Sequence, residues 1–216
     1  MGQQHITRFG YRRHPDQDRT GANAAEHPVV IVGAGPVGLS LAIDLAQRGQ
    51  AVVLLDDDDK IGDGSRAICF SKRSLEVWDR LGVGTRMVEK GVVWKTGKVF
   101  LGDTMVYQFD LQPEDGHKMP AFINLQQYYA ESYLVDRLQQ LPDIDLRWRN
   151  KVTGLAQHND HAVLTIETPD GPYRLAARYV VACDGARSSL RGMVGADFKG
   201  QQFEDQFLIA DVKLTA

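Results

Sequence analysis

Blocks of apolar and polar positions alternate along the first part of the chain. Residues 29–32 and 51–55 are short, uninterrupted runs of aliphatic side chains, which are typical of strands buried on both faces of a sheet. Between them, residues 39–49 place apolar side chains at helical spacing and finish in a glycine that can end a helix. Residues 28–56 therefore form a predicted β-α-β unit, which implies a parallel sheet and an α/β fold.

Helical and strand-like patterns continue through the rest of the chain. Ser71 is placed to cap a helix that runs to about Leu81, and residues 126–141 predict an amphipathic helix ended by Pro142. A hairpin is predicted over residues 92–111, and further strand patterns lie at 144–148, 152–156, 162–168, 173–175, 179–182 and 207–214. The polar residues before Pro28 predict an unstructured lead-in.

Composition and charge narrow the class of protein. The 216 residues carry a formal net charge of −3, so nothing draws the chain electrostatically toward nucleic acid or a membrane surface. The polar start has no secretory h-region, and no apolar run approaches the ~18 residues of a spanning helix. Two distant cysteines, Cys69 and Cys183, make no disulfide framework. These features predict a cytoplasmic protein without a nucleic-acid or membrane partner.

The segment between the first strand and the first helix carries the clearest chemical signal. It reads GAGPVG from Gly33 to Gly38. The first glycine permits a tight turn, the second admits a pyrophosphate to the backbone, and the third lets helix and strand pack closely. The helix amino terminus adds free N–H groups and a positive dipole. The pattern predicts a dinucleotide site.

Two carboxylates lie at the ends of other predicted strands. Asp56 ends the second strand 23 positions after Gly33, near the spacing of about 20 expected for an acid that binds a ribose. Asp184 and Gly185 follow the buried run at residues 179–182. The glycine-rich turn alone leaves the choice between NAD and FAD open, and such a turn also occurs in other α/β proteins.

Four segments in register resemble a known family. They read VVIVGAGPVGLSLAIDLAQRG, SRAICFSKRSLEVWDRLG, INLQQYYAESYL and YVVACDGARSSLR. Their order and spacing resemble those of class A flavoprotein monooxygenases, the FAD-dependent aromatic hydroxylases that include p-hydroxybenzoate hydroxylase, and especially the branch of 3-(3-hydroxyphenyl)propionate and phenol hydroxylases. The resemblance covers residues 28 to 216. It implies a three-layer Rossmann-like FAD-binding domain with a parallel sheet, and the beginning of a mixed or antiparallel substrate-domain sheet.

The resemblance implies roles for residues on the adenosine side of FAD. Asp56 would hold the adenosine ribose, although the family more often has Glu there with a basic residue next, where this chain has Asp57. Val152 would touch the adenine through its backbone. Asp184 and Gly185 match the family's Asp-Gly motif, which serves both FAD and the nicotinamide cofactor.

On the flavin side, the resemblance implies a second group of residues. Arg66, with Ala67 beside it, matches the family arginine that approaches the flavin nucleotide. Gln127, or its neighbour Gln126, matches a glutamine at a helix start. The implied FAD-binding positions are Gly33, Gly35, Pro36, Val37, Gly38, Asp56, Arg66, Ala67, Gln127, Val152, Asp184 and Gly185.

The resemblance also implies a domain organisation and a reaction. The expected parts are a disordered lead-in (1–27), the FAD-binding domain in two pieces (28–91 and 121–195), a substrate-domain hairpin (92–120) and the start of a truncated substrate domain (196–216). NADH or NADPH would reduce FAD, and one atom of O₂ would reach a phenolic ring. Substrate-binding residues are expected beyond residue 216, so no catalytic residue is named. Whether the protein forms a homo-oligomer is left open.

Three alternatives stay open at this point. One is an NAD(P)-dependent dehydrogenase that uses the glycine-rich turn. Another is a different FAD-dependent oxidoreductase on the same fold, such as an epoxidase, halogenase or reductase, and the third is a nucleotide-binding module without activity. A metal site is not predicted, because His158 and His161 flank a turn without a set of further ligands.

Overall fold

A computed structural model describes residues 8–19, 24–62, 66–112, 114–201 and 203–206 of the chain. Its elements include helices and strands, with four strands in a row before the fourth α-helix and four more after it. In chain order they are a 3₁₀ helix (Pro15–Asp18), β1 (Ala25–Val32), α1 (Pro36–Ala46), β2 (Val52–Leu55), β3 (Cys69–Ser71), α2 (Lys72–Arg80), α3 (Gly84–Lys90), β4 (Val92–Trp94), β5 (Thr96–Leu101), β6 (Thr104–Asp110), β7 (Phe122–Asn124), α4 (Gln127–Leu138), β8 (Ile144–Arg147), β9 (Lys151–Gln157), β10 (Ala162–Glu167), β11 (Tyr173–Ala182) and α5 (Ser189–Met193).

A six-stranded sheet in the order β8-β2-β1-β11-β10-β9 forms the centre of the fold. The first four strands run parallel, whereas β10 pairs antiparallel with both β11 and β9. The β-α-β unit predicted over residues 28–56 is present as β1, α1 and β2, so the predicted α/β class is confirmed. The antiparallel strands β9 and β10 make the sheet mixed, since short turns join them to β11.

Side chains of the parallel strands alternate between the two faces of the sheet. Ile31 and Leu54 are fully buried in a cluster that includes residues of α1 to α4, among them Leu39 and Leu134. The neighbouring Val30 and Val53 turn to the other face, where they pack with residues of β9, β10, β11 and α5. Burial on both faces explains why β1 and β2 read as continuous apolar runs rather than as alternating patterns.

Two smaller antiparallel units lie outside the central sheet. One has the order β3-β7-β4, and the other is the hairpin β5-β6, which turns at Gly102 with φ +56°. The hairpin predicted about Gly102 and Asp103 is therefore present. Its assignment to a substrate domain stays a prediction. The strand predicted at residues 207–214 lies outside the described residues.

The expected unstructured lead-in over residues 1–27 is wrong for the described part of that segment. Strand β1 begins at Ala25 rather than at Pro28, since Ala25 is buried and pairs with Leu175. Upstream, His14 is buried beside the short 3₁₀ helix, and Phe9 stacks on Trp148. A polar segment takes up structure here because buried partners from distant parts of the chain satisfy its side chains.

Strand β11 corrects a second expectation. Two separate strands were predicted at 173–175 and 179–182, yet the structure has one strand of ten residues. The intervening Ala176 and Ala177 pair with Glu26 and His27 of β1, and Ala177 is fully buried. Small side chains hid the continuity of the strand from the sequence pattern, because they carry little strand preference of their own.

Three further features bear on the class of protein. Over the part of the chain that the structure describes, no helix is both long and apolar enough to cross a membrane. Within the same residues, no group of three or more His, Cys, Asp or Glu side chains could hold a metal ion. Cys69 and Cys183 are both free thiols.

Candidate functional site

A cleft of about 730 Å³ opens at the carboxyl ends of the parallel strands. Strands β1, β2 and β11 end there side by side, and each is followed by a segment singled out in the sequence. Residues after β1 supply Gly33 and Gly35, β2 is followed by Asp56, and β11 by Asp184 and Gly185. In open parallel sheets, the crevice beyond the carboxyl ends of neighbouring strands is where ligands bind.

The glycine-rich turn has two crowded positions and one open position. Gly33 has φ +105°, and a Cβ atom there would lie 2.4 Å from the carbonyl oxygen of Cys183. At Gly38 a Cβ would lie 1.8 Å from the carbonyl oxygen of Gly33. At Gly35, by contrast, a Cβ would meet no atom within 4 Å. The fold therefore needs the first and third glycines, whereas the second leaves free space beside the backbone.

That free space lies at the amino terminus of α1. Gly35 is the N-cap residue, and Pro36 occupies the first helical position, where the missing N–H costs nothing. No described side chain caps this end of the helix. The N–H groups and dipole of the first turn thus face the cleft, as the binding of a phosphate requires. The arrangement fits the pyrophosphate of a dinucleotide.

Asp56 holds the turn from the neighbouring strand. Its Oδ2 accepts a hydrogen bond from the backbone N–H of Ala34 at 2.5 Å, and Oδ1 accepts one from Asp58 at 2.9 Å. Burial raises the pKa of Asp56 above its ordinary value, against the two hydrogen bonds, which favour the ionised form. A carboxylate has about four acceptor positions, so Asp56 can brace the turn and still accept a hydroxyl from a ligand in the cleft.

The Asp-Gly turn after β11 is held by hydrogen bonds to the start of α5. Asp184 accepts hydrogen bonds from the hydroxyl of Ser188 at 2.6 Å and from the backbone N–H of Leu190 at 3.1 Å. Burial raises the pKa of Asp184, but these hydrogen bonds outweigh it, so the pKa lies below its ordinary value. Gly185 takes φ +78°, a backbone conformation that favours glycine. The carboxylate therefore caps α5 and lies in the wall of the cleft.

The cleft lining also contains Arg66, which is exposed, and Gln127 in the first turn of α4. The neighbouring Gln126 is the N-cap residue of α4 and does not line the cleft. The geometry therefore favours Gln127 for the glutamine that the sequence left undecided. Ala67 is exposed and is not in the cleft lining.

Glu131, which the sequence analysis missed, ties these parts together. Its side chain is almost fully buried, with Oε2 accepting from the backbone N–H of Gly62 at 2.6 Å and Oε1 accepting from the amide of Gln127 at 2.7 Å. It thus joins Gly62 to the start of α4. The available signal was an acid on the apolar face of a helix, between Ala130 and Leu134.

Further cleft residues come from the connection between β8 and β9, from the loop after β2 and from the turn after β11. Val152, predicted from the resemblance, lies in β9 at the cleft and is buried. Sequence reasoning did not anticipate its neighbours Asn150 and Lys151, nor Lys60 and Arg187. Single lysines and arginines in loops give no pattern, and only the folded sheet brings them to one edge.

Removing the Glu131 carboxylate is expected to weaken cofactor binding about tenfold. In Glu131→Ala, the N–H of Gly62 and the amide of Gln127 lose a charged acceptor, a loss of about 1.5–3 kcal/mol of hydrogen-bond energy. Titration of the apo-protein with FAD, with limited proteolysis around Gly62, measures both effects. Glu131→Gln keeps an acceptor and should stay closer to the parent. Parental affinity and parental proteolysis in Glu131→Ala would contradict this role.

Comparison with known proteins agrees with this geometry. The sequence model of the family described as "FAD binding domain" matches residues 26–216, and the chain belongs to that family. A flavin-dependent monooxygenase of Mycobacteroides abscessus is 34% identical over 194 residues, covering 86% of this chain and 41% of the relative. A probable NADH-specific resorcinol 4-hydroxylase of Rhodococcus jostii is 29% identical, covering 90% of this chain and 37% of the relative.

Solved structures show the same likeness. The crystal structure of p-nitrophenol 4-monooxygenase from Pseudomonas putida superposes with a TM-score of 0.77 at 29% identity, covering 83% of this chain and 46% of that one. The resemblance to FAD-dependent aromatic hydroxylases is thereby confirmed, and FAD rather than NAD is the cofactor of the domain. The chain spans less than half the length of these relatives.

Proposed function

We propose that this chain is the FAD-binding part of a monooxygenase that hydroxylates a phenolic or related aromatic compound with NAD(P)H and O₂. The observation that carries the proposal is the meeting of four distant sequence segments in one cleft. The turn at Gly33–Gly38, Asp56, the Arg66–Gln127 pair and the Asp184-Gly185 turn lie around the same space. The activities for which the relatives are named, which include resorcinol hydroxylation and p-nitrophenol oxygenation, supply the reaction class.

The residues predicted from the sequence are assigned to the two halves of FAD. Gly33, Gly35, Pro36 and Val37 would hold the pyrophosphate, with Gly38 packing helix against strand behind them. Asp56 would accept the adenosine ribose hydroxyls. The other assigned positions are Val152 at the adenine, Arg66 and Gln127 toward the flavin, with Ala67 beside Arg66 but outside the cleft lining, and Asp184 with Gly185 between the halves.

When bound, FAD supplies the redox chemistry, taking a hydride from NAD(P)H and activating O₂. The chain's own residues supply position and electrostatics. The N–H groups of α1 neutralise phosphate charge, and Asp56 sets the ribose relative to them. Glu131 accepts from the amide of Gln127 and from the backbone N–H of Gly62, which orients the Gln127 side chain and fixes Gly62 beside the first turn of α4. An NADH-specific relative supports a nicotinamide reductant.

The domain organisation is part of the same proposal. Residues 28–91 and 121–195 belong to the FAD-binding domain, and the hairpin segment 92–120 extends from it toward the substrate. Its support is that β5 and β6 pair only with each other among the described residues, while large apolar side chains such as Phe100 and Leu101 are exposed on them. A covering substrate domain would bury such side chains.

Oxygen labelling tests the proposed reaction. The protein expressed from its intact gene, supplied with NADH or NADPH and a panel of phenols, is expected to give a ring-hydroxylated product that carries one ¹⁸O atom from ¹⁸O₂. The second oxygen atom leaves as water, and one NAD(P)H is oxidised for each product. Mass spectrometry of the product and absorbance of the nicotinamide measure the two sides of this balance.

The matched control repeats the reaction in H₂¹⁸O with ¹⁶O₂, where the product should carry no label. NAD(P)H oxidation that yields peroxide without labelled product across the panel would sink the hydroxylase proposal and favour a plain reductase. Stoichiometric FAD in that same preparation would leave the cofactor assignment standing.

A further inference from the structure

The segment at residues 8–19, named here the N-terminal strap, lies outside the region that the family model matches, which begins at residue 26. It nevertheless packs against the folded sheet, with contacts to β8, to β11 and to the turn after β10. His14 is buried, and Tyr11 and Gln17 both form hydrogen bonds with the hydroxyl of Thr168. A segment outside the matched region is therefore ordered against the fold of this chain.

The first residues of the strap contact the loop after β2. Arg8 donates from Nη1 to both oxygens of Asp59, at 2.9 and 2.8 Å, and the backbone N–H of Phe9 donates to the carbonyl of Asp59 at 2.6 Å. A backbone bridge joins Arg8 to Lys60, which lines the cleft. The ring of Phe9 stacks on Trp148, with centroids 4.6 Å apart and planes 5° apart. The strap thus holds this loop from outside the cleft.

The middle of the strap is anchored on a buried arginine. Arg147, whose side chain is 3% exposed, donates from Nη2 to Asp16 of the strap at 2.6 Å and to Asp145 at 2.7 Å. His27 also contacts Asp16, at 2.9 Å. Burial acts to raise the pKa of Asp16, but the hydrogen bond and charge of Arg147 outweigh it and the pKa lies below its ordinary value. The anchor is therefore an ion pair at neutral pH.

The same anchor continues into the cleft wall. The carbonyl of Arg147 accepts from the backbone N–H of Asp56, and the N–H of Asn150 donates to the carbonyl of Asp56 at 2.7 Å. The hydroxyl of Tyr173 accepts from Arg147 at 3.2 Å and donates to the side chain of Asn150 at 2.7 Å. Asp56 and Asn150 both line the cleft. Contacts made by the strap thus reach the cleft residues through one or two hydrogen bonds.

We propose that the N-terminal strap is a positioning element for the adenosine half of the cofactor, with Arg8, Phe9 and Asp16 as its positioning residues. It holds the loop at residues 56–60 and the segment at residues 148–150 in the form that accepts the ribose and adenine. The inference rests on the FAD site of the proposed function. The strap contacts named above, all between described residues, are to β1, to the loop after β2, to β8 and the residue after it, and to the turn after β10 rather than to Arg66 or Gln127, so its effect is expected at the adenosine end.

The test uses the double variant Arg8→Ala, Phe9→Ala in the intact protein, because it releases the loop without opening the Arg147 anchor. Apo-protein is titrated with FAD, with ADP and with FMN, which lacks the adenosine. The affinities for FAD and ADP are expected to fall about tenfold, and the affinity for FMN is expected to stay within about twofold. Hydrogen exchange in peptides covering residues 56–62 and 147–152 should become faster.

Arg13→Ala is the matched control, since Arg13 lies on the same strap but pairs with Asp18 and Asp170, outside the cleft. It should bind all three ligands as the parent does. Arg8→Gln alone removes only an exposed ion pair, so it keeps the test valid if the double variant fails to fold. It should also lose affinity for FAD and ADP but not for FMN, and the loss should be smaller than in the double variant.

Three outcomes would overturn the proposal. Parental affinity for FAD and ADP in the folded variants would show that the strap does not position the site. An equal loss for FAD, ADP and FMN would show general destabilisation instead. A parent that binds neither FAD nor ADP would remove the strap's role together with the proposed cofactor site. If the variants lose FAD and ADP selectively but the parent gives no labelled phenol, the strap's role is supported and only the proposed reaction is contradicted.

Discussion

Gly35→Val is expected to lower the affinity for FAD at least about 100-fold, or about 2.7 kcal/mol, while leaving the fold intact. Gly35 has φ −75° and ψ −177°, which valine adopts without strain, and a Cβ at this position meets no atom within 4 Å. The added side chain fills the space beside the amino terminus of α1, where the pyrophosphate must approach the backbone. FAD titration by fluorescence quenching measures the loss, and thermal unfolding of the apo-protein checks the fold.

Gly38→Ala provides the contrasting variant. Its Cβ would lie 1.8 Å from the carbonyl oxygen of Gly33, a backbone atom that cannot move without displacing the turn. This variant should therefore lose stability in the apo-protein as well as affinity. Should Gly35→Val bind FAD as tightly as the parent, the pyrophosphate does not lie at this turn and the assignment of the cleft must change.

Arg147→Met is expected to destabilise the protein by about 3–5 kcal/mol, the usual loss when one partner of a buried ion pair is removed. Asp16 and Asp145 would lose their shared cation, and the hydroxyl of Tyr173 would lose a donor. Methionine fills similar volume, so the loss reports the charge and hydrogen bonds rather than a cavity. Denaturant unfolding of the apo-protein, followed by tryptophan fluorescence, measures the free energy of unfolding.

Arg149→Met is the matched control, two positions further along the chain on an exposed side chain. It should change the free energy of unfolding by no more than about 0.5 kcal/mol. A loss below about 1 kcal/mol in Arg147→Met would mean that the buried network contributes little and that the strap is held by its other contacts, such as the Phe9–Trp148 stack and the Arg8–Asp59 ion pair. Asp16→Asn, which keeps the shape but removes the charge, should lie between the parent and Arg147→Met.

The features recognised correctly from the sequence are local in character. The β-α-β unit rests on two buried strands and a helix of regular period, and the GAGPVG turn requires glycine for reasons confined to a few residues. Asp56 and Asp184 were found because they follow strands directly, and the parallel sheet then brings strand ends to one edge. In each case the physical reason lies within a short stretch of chain, so the sequence of that stretch is enough to predict the feature.

The sequence was less informative wherever a polar residue depends on a distant partner. In the sequence, Glu131 is one more charged residue on a helix, and only its hydrogen bonds with Gly62 and Gln127 distinguish it. The choice of Gln127 over Gln126 depended on how α4 meets the cleft. Neither arrangement follows from periodicity, because the loop and the helix are far apart along the chain.

The N-terminal strap shows the limit most clearly. Its composition is that of a disordered segment, since it is polar and has few large apolar side chains. The sequence by itself determined the α/β class and the glycine-rich turn, because these depend on local periodicity and on the steric needs of single residues, whereas FAD was indicated by the resemblance to a family and not by any one pattern. The tertiary structure alone decided that the strap is ordered and that Glu131 and Arg147 support the cleft. Those outcomes depend on burying charges against partners from elsewhere in the chain, which only the completed fold brings together.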